Sequence, residues 1–86
     1  MARKRYVYTA HALAVMDERG IRKEWAERTL KRPRKLLDDL SDPALTHAIG
    51  RIPEYGDRVL RVVYNGKTEP WRVVTAYFDR SLRDKI

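Results

Sequence analysis

The stretch Arg58-Val59-Leu60-Arg61-Val62-Val63-Tyr64-Asn65-Gly66 reads as a β-prone run closed by a hairpin signal. Working outward, Thr46 to Pro53 is a second β-prone run, joined to the first through the turn residues Glu54-Tyr55-Gly56-Asp57. Trp71 to Phe78 is a third. Three such runs separated by short turns predict an antiparallel meander.

Toward the N-terminus the period changes. Tyr6-Val7-Tyr8 is a short β-prone run, and the Thr9 hydroxyl can cap a helix beginning near Ala10. Ala12, Leu13 and Met16 supply its apolar spacing, Gly20 sits where a left-handed residue would end it, and Ile21 falls at the hydrophobic contact of a Schellman ending. A second helix is expected from Lys23 to Lys31, burying Trp25, Ala26 and Leu30, with Pro33 preventing its extension. Residues 35–39 read as a weak strand, followed by the turn signal Ser41-Asp42-Pro43. The tail from Arg80 to Ile86 reads as a last helical turn or a frayed end. The expected fold class is therefore α+β, one domain over residues 1–86, with two N-terminal helices packed on one face of a twisted antiparallel sheet. Residues 1–5 would form a basic arm.

With 86 residues the chain is one small domain, which buries only about 60 to 65% of its unfolded surface and has no room for a large ligand cavity. The absence of Cys removes disulfide frameworks, Cys-ligated zinc, iron–sulfur clusters and thiol nucleophiles. Two His, 36 positions apart, form no local ligand motif, so neither metal nor cofactor is expected. No apolar run approaches the roughly 20 residues of a spanning helix, and the start lacks a signal-peptide core, so a cytoplasmic location without membrane contact is expected. Nineteen Lys and Arg against 12 Asp and Glu give +7, a field that attracts polyanions. Thirteen of the basic residues are Arg, whose planar fork matches phosphate, and nucleic acid or an acidic protein is the first partner this balance suggests.

Alternation sorts the strands into faces. Burying Leu60, Val62, Val74, Ala76 and Phe78 beneath the helices leaves Arg61, Thr75 and Tyr77 on the second face, where His47 and Arg51 join them if the 54–57 turn preserves register. An arginine pair there suits a phosphodiester and the charge that builds as its 2′-hydroxyl attacks phosphorus. His47 or His11 would supply the base or acid, and Tyr77 with Thr75 would donate a proton or hold a phosphate oxygen. The candidate catalytic set is thus His11, His47, Arg51, Arg61, Thr75 and Tyr77. Lys31, Arg32, Arg34 and Lys35 form a basic corner that can track a phosphate backbone, together with Arg58. Glu24 with Arg28 reads as helix-surface pairing, and Asp38-Asp39 as a turn-facing acidic patch.

Thr9-Ala10-His11-Ala12, Met16-Asp17-Glu18-Arg19-Gly20-Ile21, Gly50-Arg51, Arg58 to Tyr64 and Arg72-Val73-Val74-Thr75-Ala76-Tyr77 together resemble a family of small bacterial domains of unknown function grouped with the RelE and BrnT toxin superfamily. The resemblance covers roughly residues 6 to 80. It implies a RelE-like fold, metal-independent RNA cleavage on the sheet, an acidic antitoxin-like partner, and functional weight at His11, Glu18, Arg19, Arg51, Arg61, Thr75 and Tyr77. Two departures stand out: Arg22 replaces a small helix-capping residue, and the sheet lysines of ribosome-dependent RelE enzymes are lacking.

The resulting expectation is a toxin-like, metal-independent endoribonuclease of a toxin–antitoxin type system. Its rivals are a non-catalytic RNA-binding or protein-interaction module on the same fold and a domain that meets only an acidic protein. A homodimer is a further open option.

Overall fold

The computed structural model describes residues 6–86; the basic arm expected at residues 1–5 lies outside them. A short strand β1 (Tyr6–Tyr8) leads into helix α1 (Ala10–Glu18) and helix α2 (Lys23–Lys31). Four strands follow: β2 (Lys35–Asp38), β3 (Leu45–Ile52), β4 (Arg58–Asn65) and β5 (Trp71–Phe78). They build one five-stranded sheet in the order β1-β5-β4-β3-β2. The class is α+β, with both helices on one face of the sheet.

The sheet differs from the expectation in one respect. From β2 through β5 it is antiparallel, but β1 pairs with β5 in parallel, Tyr6 opposite Trp71 and Tyr8 opposite Val73, which makes the sheet mixed. A parallel partner needs a crossover, and the two helices supply it. They therefore follow a strand instead of leading the chain.

The helix boundaries have local causes. Thr9 is extended, and its side chain accepts from the Ala12 amide at 3.0 Å, which satisfies a free donor of the first turn. At the other end Gly20 takes φ 66°, the Ile21 amide reaches the Met16 carbonyl at 2.8 Å and the Gly20 amide the Asp17 carbonyl at 3.2 Å. That pair of bonds is the Schellman ending. Arg22 precedes α2 without any side-chain cap bond. Helix α1 buries Ala12, Val15 and Met16, whereas Leu13 remains 42% exposed, so the apolar stripe runs through Val15 and not through Leu13.

The main core lies between helices and sheet. Trp25, Ala26 and Leu30 of α2 meet Ala48, Ile52, Leu60, Val62, Tyr64, Val73 and Ala76, with Phe78 packed at the margin. Gly50 lets α2 come close, since a Cβ there would lie 3.2 Å from Thr29 Oγ1. The expected burial of Val74 is corrected. An irregularity between Val63 and Tyr64 shifts the register so that Tyr64 opposes Val73, and Val73 enters the core in place of its neighbour. Trp71 stacks on Tyr64 with ring centroids 4.7 Å apart, closing that end of the core.

The opposite face carries a second, smaller apolar floor. Ile49, Val59 and Val63 are buried there although neither α1 nor α2 lies on that side. A 3-10 turn at Arg80–Leu82 begins the C-terminal segment, which Arg51 ties to this face. Among the described residues no helix is long and apolar enough to cross a membrane.

Candidate functional site

The turn joining β3 to β4 preserves register, with Ile49 opposite Arg61 and Arg51 opposite Val59. Across the next ladder Arg61 faces Tyr77 and Val63 faces Thr75. Since side chains alternate, His47, Arg51, Arg61, Thr75 and Tyr77 share the face away from the helices. The same period-two count reaches Asp79, one step beyond Tyr77, and Asp39, one step beyond Leu37, which pairs with His47.

These two carboxylates organise the face. His47 Nε2 lies 2.7 Å from Asp39 Oδ1, and the other ring nitrogen, Nδ1, accepts from Arg61 Nη1 at 2.9 Å. A donor facing Nδ1 and a carboxylate facing Nε2 select the neutral tautomer whose proton sits on Nε2. Arg61 then reaches Asp79 Oδ2 through Nε at 3.1 Å and through Nη2 at 2.9 Å. Asp79 Oδ1 in turn accepts from the Ser81 amide and hydroxyl, at 2.9 and 2.5 Å. The result is one continuous chain, Asp39–His47–Arg61–Asp79–Ser81, with the Arg61 and Asp79 side chains only 15% and 14% exposed.

Charge and hydrogen bonding act on both carboxylates. The His47 hydrogen bond, with the Ser41 and Asp42 amides, lowers the Asp39 pKa below its ordinary value. Ser81 is the largest influence on Asp79 and also lowers it, with Arg61 adding to the effect. Beside this chain the Arg61 guanidinium lies 5.9 Å from the Tyr77 ring centroid. Tyr77 and Thr75 are both partly exposed on the same face of β5.

Arg51 shares the face but is occupied elsewhere. Its Nη1 donates to the Asp57 carbonyl at 3.1 Å and to Asp57 Oδ2 at 3.2 Å, while Nη2 donates to the carbonyls of Arg83 and of Ile86, the latter at 2.8 Å. A guanidinium with this many internal partners is a clamp for the C-terminal segment. His11 lies apart from the other imidazole. It is exposed in the first turn of α1, on the far side of the sheet from His47. Arg19 is likewise on the helical side, donating to the Ala76 carbonyl at 2.8 Å, and Glu18 is exposed at the end of α1.

The basic corner spans the end of α2 and the start of β2, where Lys31, Arg32, Arg34 and Lys35 are all exposed. Arg58 is exposed at the start of β4, with its guanidinium 4.6 Å from the Tyr55 ring centroid. The pairing of Glu24 with Arg28 is replaced by a stronger one. Arg28 forms a two-pronged pair with Glu54 at 2.8 and 2.6 Å, and Glu24 pairs with Arg22. The bidentate contact drives the Glu54 pKa down to about 2.

Asp39 and Asp79 are the members that sequence reasoning missed. Both continue a strand's alternation past its nominal end, into a turn, where the face assignment was not carried. Among the described residues no group of three or more His, Cys, Asp or Glu gathers where a metal ion could be held.

None of the curated proteins and none of the solved structures matches the chain. A family model does, over residues 8–78, which spans both helices and strands β2 to β5, so the chain belongs to the family described as a domain of unknown function, DUF4258.

Proposed function

We propose that this domain is a toxin-like endoribonuclease of the RelE and BrnT kind, acting on RNA in the cytoplasm without a metal. The observation that carries the reading is the His47–Arg61 contact, an imidazole oriented by Asp39 with a cation at its basic nitrogen. A phosphodiester arriving at this face offers Arg61 a better partner than a neutral imidazole, because the guanidinium fork meets an anion there through two bonds instead of a neutral acceptor through one. Drawing Arg61 toward phosphate frees Nδ1.

Nδ1 then takes the proton of the 2′-hydroxyl, whose oxygen attacks the adjacent phosphorus. The bond from phosphorus to the 5′-oxygen breaks, leaving a 2′,3′-cyclic phosphate and a 5′-hydroxyl. Tyr77 supplies the proton to the leaving oxygen and regains it from solvent, as His47 returns its own. Arg61 stabilises the negative charge that develops on the equatorial oxygens, a contribution of about 10²–10³ in rate for one such donor. Thr75 holds a phosphate or sugar oxygen. Arg51 has no part in the chemistry and acts through the C-terminal segment. An acidic protein laid over this basic face would silence it.

A second reading has its own observation. Both nitrogens of His47 already have protein partners, as does Asp79, which suits a rigid RNA-binding face with no turnover. Product analysis separates the two. Wild-type protein in EDTA is expected to leave 2′,3′-cyclic phosphate and 5′-hydroxyl ends on single-stranded RNA, and H47Q to slow this by about 10²–10⁴. Salt-dependent binding with no cleavage by wild type would sink the catalytic reading in favour of the binding module.

A further inference from the structure

Arg61 and Arg51 do more than face the solvent, because each holds one end of the same short segment. Arg61 binds Asp79, whose other oxygen caps the turn at Ser81. Arg51 donates to the Arg83 carbonyl. Between these anchors the chain presents Arg80 and Arg83. Their side chains, with Arg58, line a cleft of about 230 Å3 that has Val59 and Phe78 in its wall and Asp79 at its edge.

All three arginines are exposed, and among the described residues none has a carboxylate partner. The Asp79 charge is already matched by Arg61, so the cleft keeps three cations. Arg58 is held in place by its rings, 4.6 Å from the Tyr55 centroid and 5.8 Å from that of Phe78. Like charges gathered around one concavity repel one another unless an anion sits between them. Guanidinium forks around a space of this size match the tetrahedral oxygens of a phosphate group.

We propose that the Arg58, Arg80 and Arg83 cleft binds a backbone phosphate of single-stranded RNA, a subsite beside the His47–Arg61 centre that sets the register of the bound strand. This rests on RNA being the ligand of the open face. Asp79 links the two, since it holds Arg61 on one side and caps the arginine-bearing turn on the other. A strand passing from the cleft to His47 would cross the Arg61–Asp79 pair on the way.

Two measurements on the full chain test it. In the first, inorganic phosphate is titrated while the arginine Nε–Hε resonances are followed. Saturable shifts are expected at Arg58, Arg80 and Arg83 but not at Arg72, and loss of saturation in R80Q/R83Q and in R58Q. Absence of shifts at these three residues in wild type overturns the subsite, whether or not the protein cleaves RNA. In the second, binding of a fluorescent single-stranded RNA is measured against salt. With about 0.7 in log–log slope per phosphate contacted, R80Q/R83Q should flatten the slope by about 0.7 and weaken binding about tenfold. Phosphate binding with an unchanged RNA slope would mean that the cleft takes small phosphate-bearing molecules, which overturns the RNA assignment. Wild-type protein that binds RNA through these arginines yet never cleaves it would refute the catalytic reading alone.

Discussion

The Arg61 guanidinium donates to His47 Nδ1 at 2.9 Å, which fixes the imidazole between a cation and the Asp39 carboxylate. The contact spans β3 and β4 on adjacent rows of the ladder, so it depends on the register set by the hairpin. It also defines the resting state of the face, with Arg61 shared between His47 and Asp79. Anything that competes for Arg61 must be an anion.

Removing Arg61 strands a carboxylate. The Asp79 side chain is only 14% exposed, and R61A leaves it without its cation, so a loss of about 2 to 3 kcal/mol is expected. Urea unfolding measures it. R61A/D79N should recover most of the loss, because the orphaned charge is gone as well.

Acid should weaken the fold through the same carboxylates. Asp39, Asp79 and Glu54 all have folded pKa values below their ordinary ones, Glu54 at about 2. A group whose folded pKa is depressed stabilises the native state fully above its unfolded value, about 4, and loses that contribution as pH falls through the folded value. Stability attributable to these groups should therefore be level from pH 7 to 5 and decline from about pH 4 toward pH 2. Thermal melts across this range check it, and D79N should show a shallower decline than wild type.

Gly50 tests the approach of helix to sheet. In G50A the new methyl would meet Thr29 Oγ1 at 3.2 Å and Cγ2 at 3.3 Å, so α2 must shift outward, at about 1 to 3 kcal/mol. Both contacts disappear in T29A, and a double-mutant cycle should show the two changes to be coupled.

Tyr8 offers a change in the opposite direction. Its hydroxyl is buried and has no hydrogen-bond partner among the described residues, and burial pushes its pKa up to about 12. Replacing an unsatisfied hydroxyl with hydrogen removes a desolvation cost of about 1 kcal/mol or more. Y8F should melt at or above the wild-type temperature; a clear drop would show that the hydroxyl is satisfied in solution.

Much of this arrangement was legible in residue order. The alternation in Arg58 to Tyr64, with the turns on either side, placed His47, Arg51, Arg61, Thr75 and Tyr77 on one face, and the observed register agrees. The parallel partner β1 was not legible, since three residues carry no signal of direction. Val74 was misassigned because a bulge inserts one residue without a glycine or proline to mark it. Arg51 was read as a phosphate ligand; its partners are Asp57, six positions on, and the backbone carbonyls of Arg83 and Ile86, more than 30 positions away, which no local pattern reveals. Asp39 and Asp79 could have been found by carrying the alternation one residue past each strand end.

Cleavage of single-stranded RNA in EDTA by wild type, R61K, R61A and R51A is the most direct test of the catalytic reading. Wild type should cut, R61A should be slower by about a hundredfold or more, and R61K, with a charge but no fork, should fall between them. R51A should lose stability while retaining activity far above that of R61A. Equal rates in wild type and R61A, or no cleavage by wild type even at high protein concentration, would contradict the assignment of this face to RNA hydrolysis.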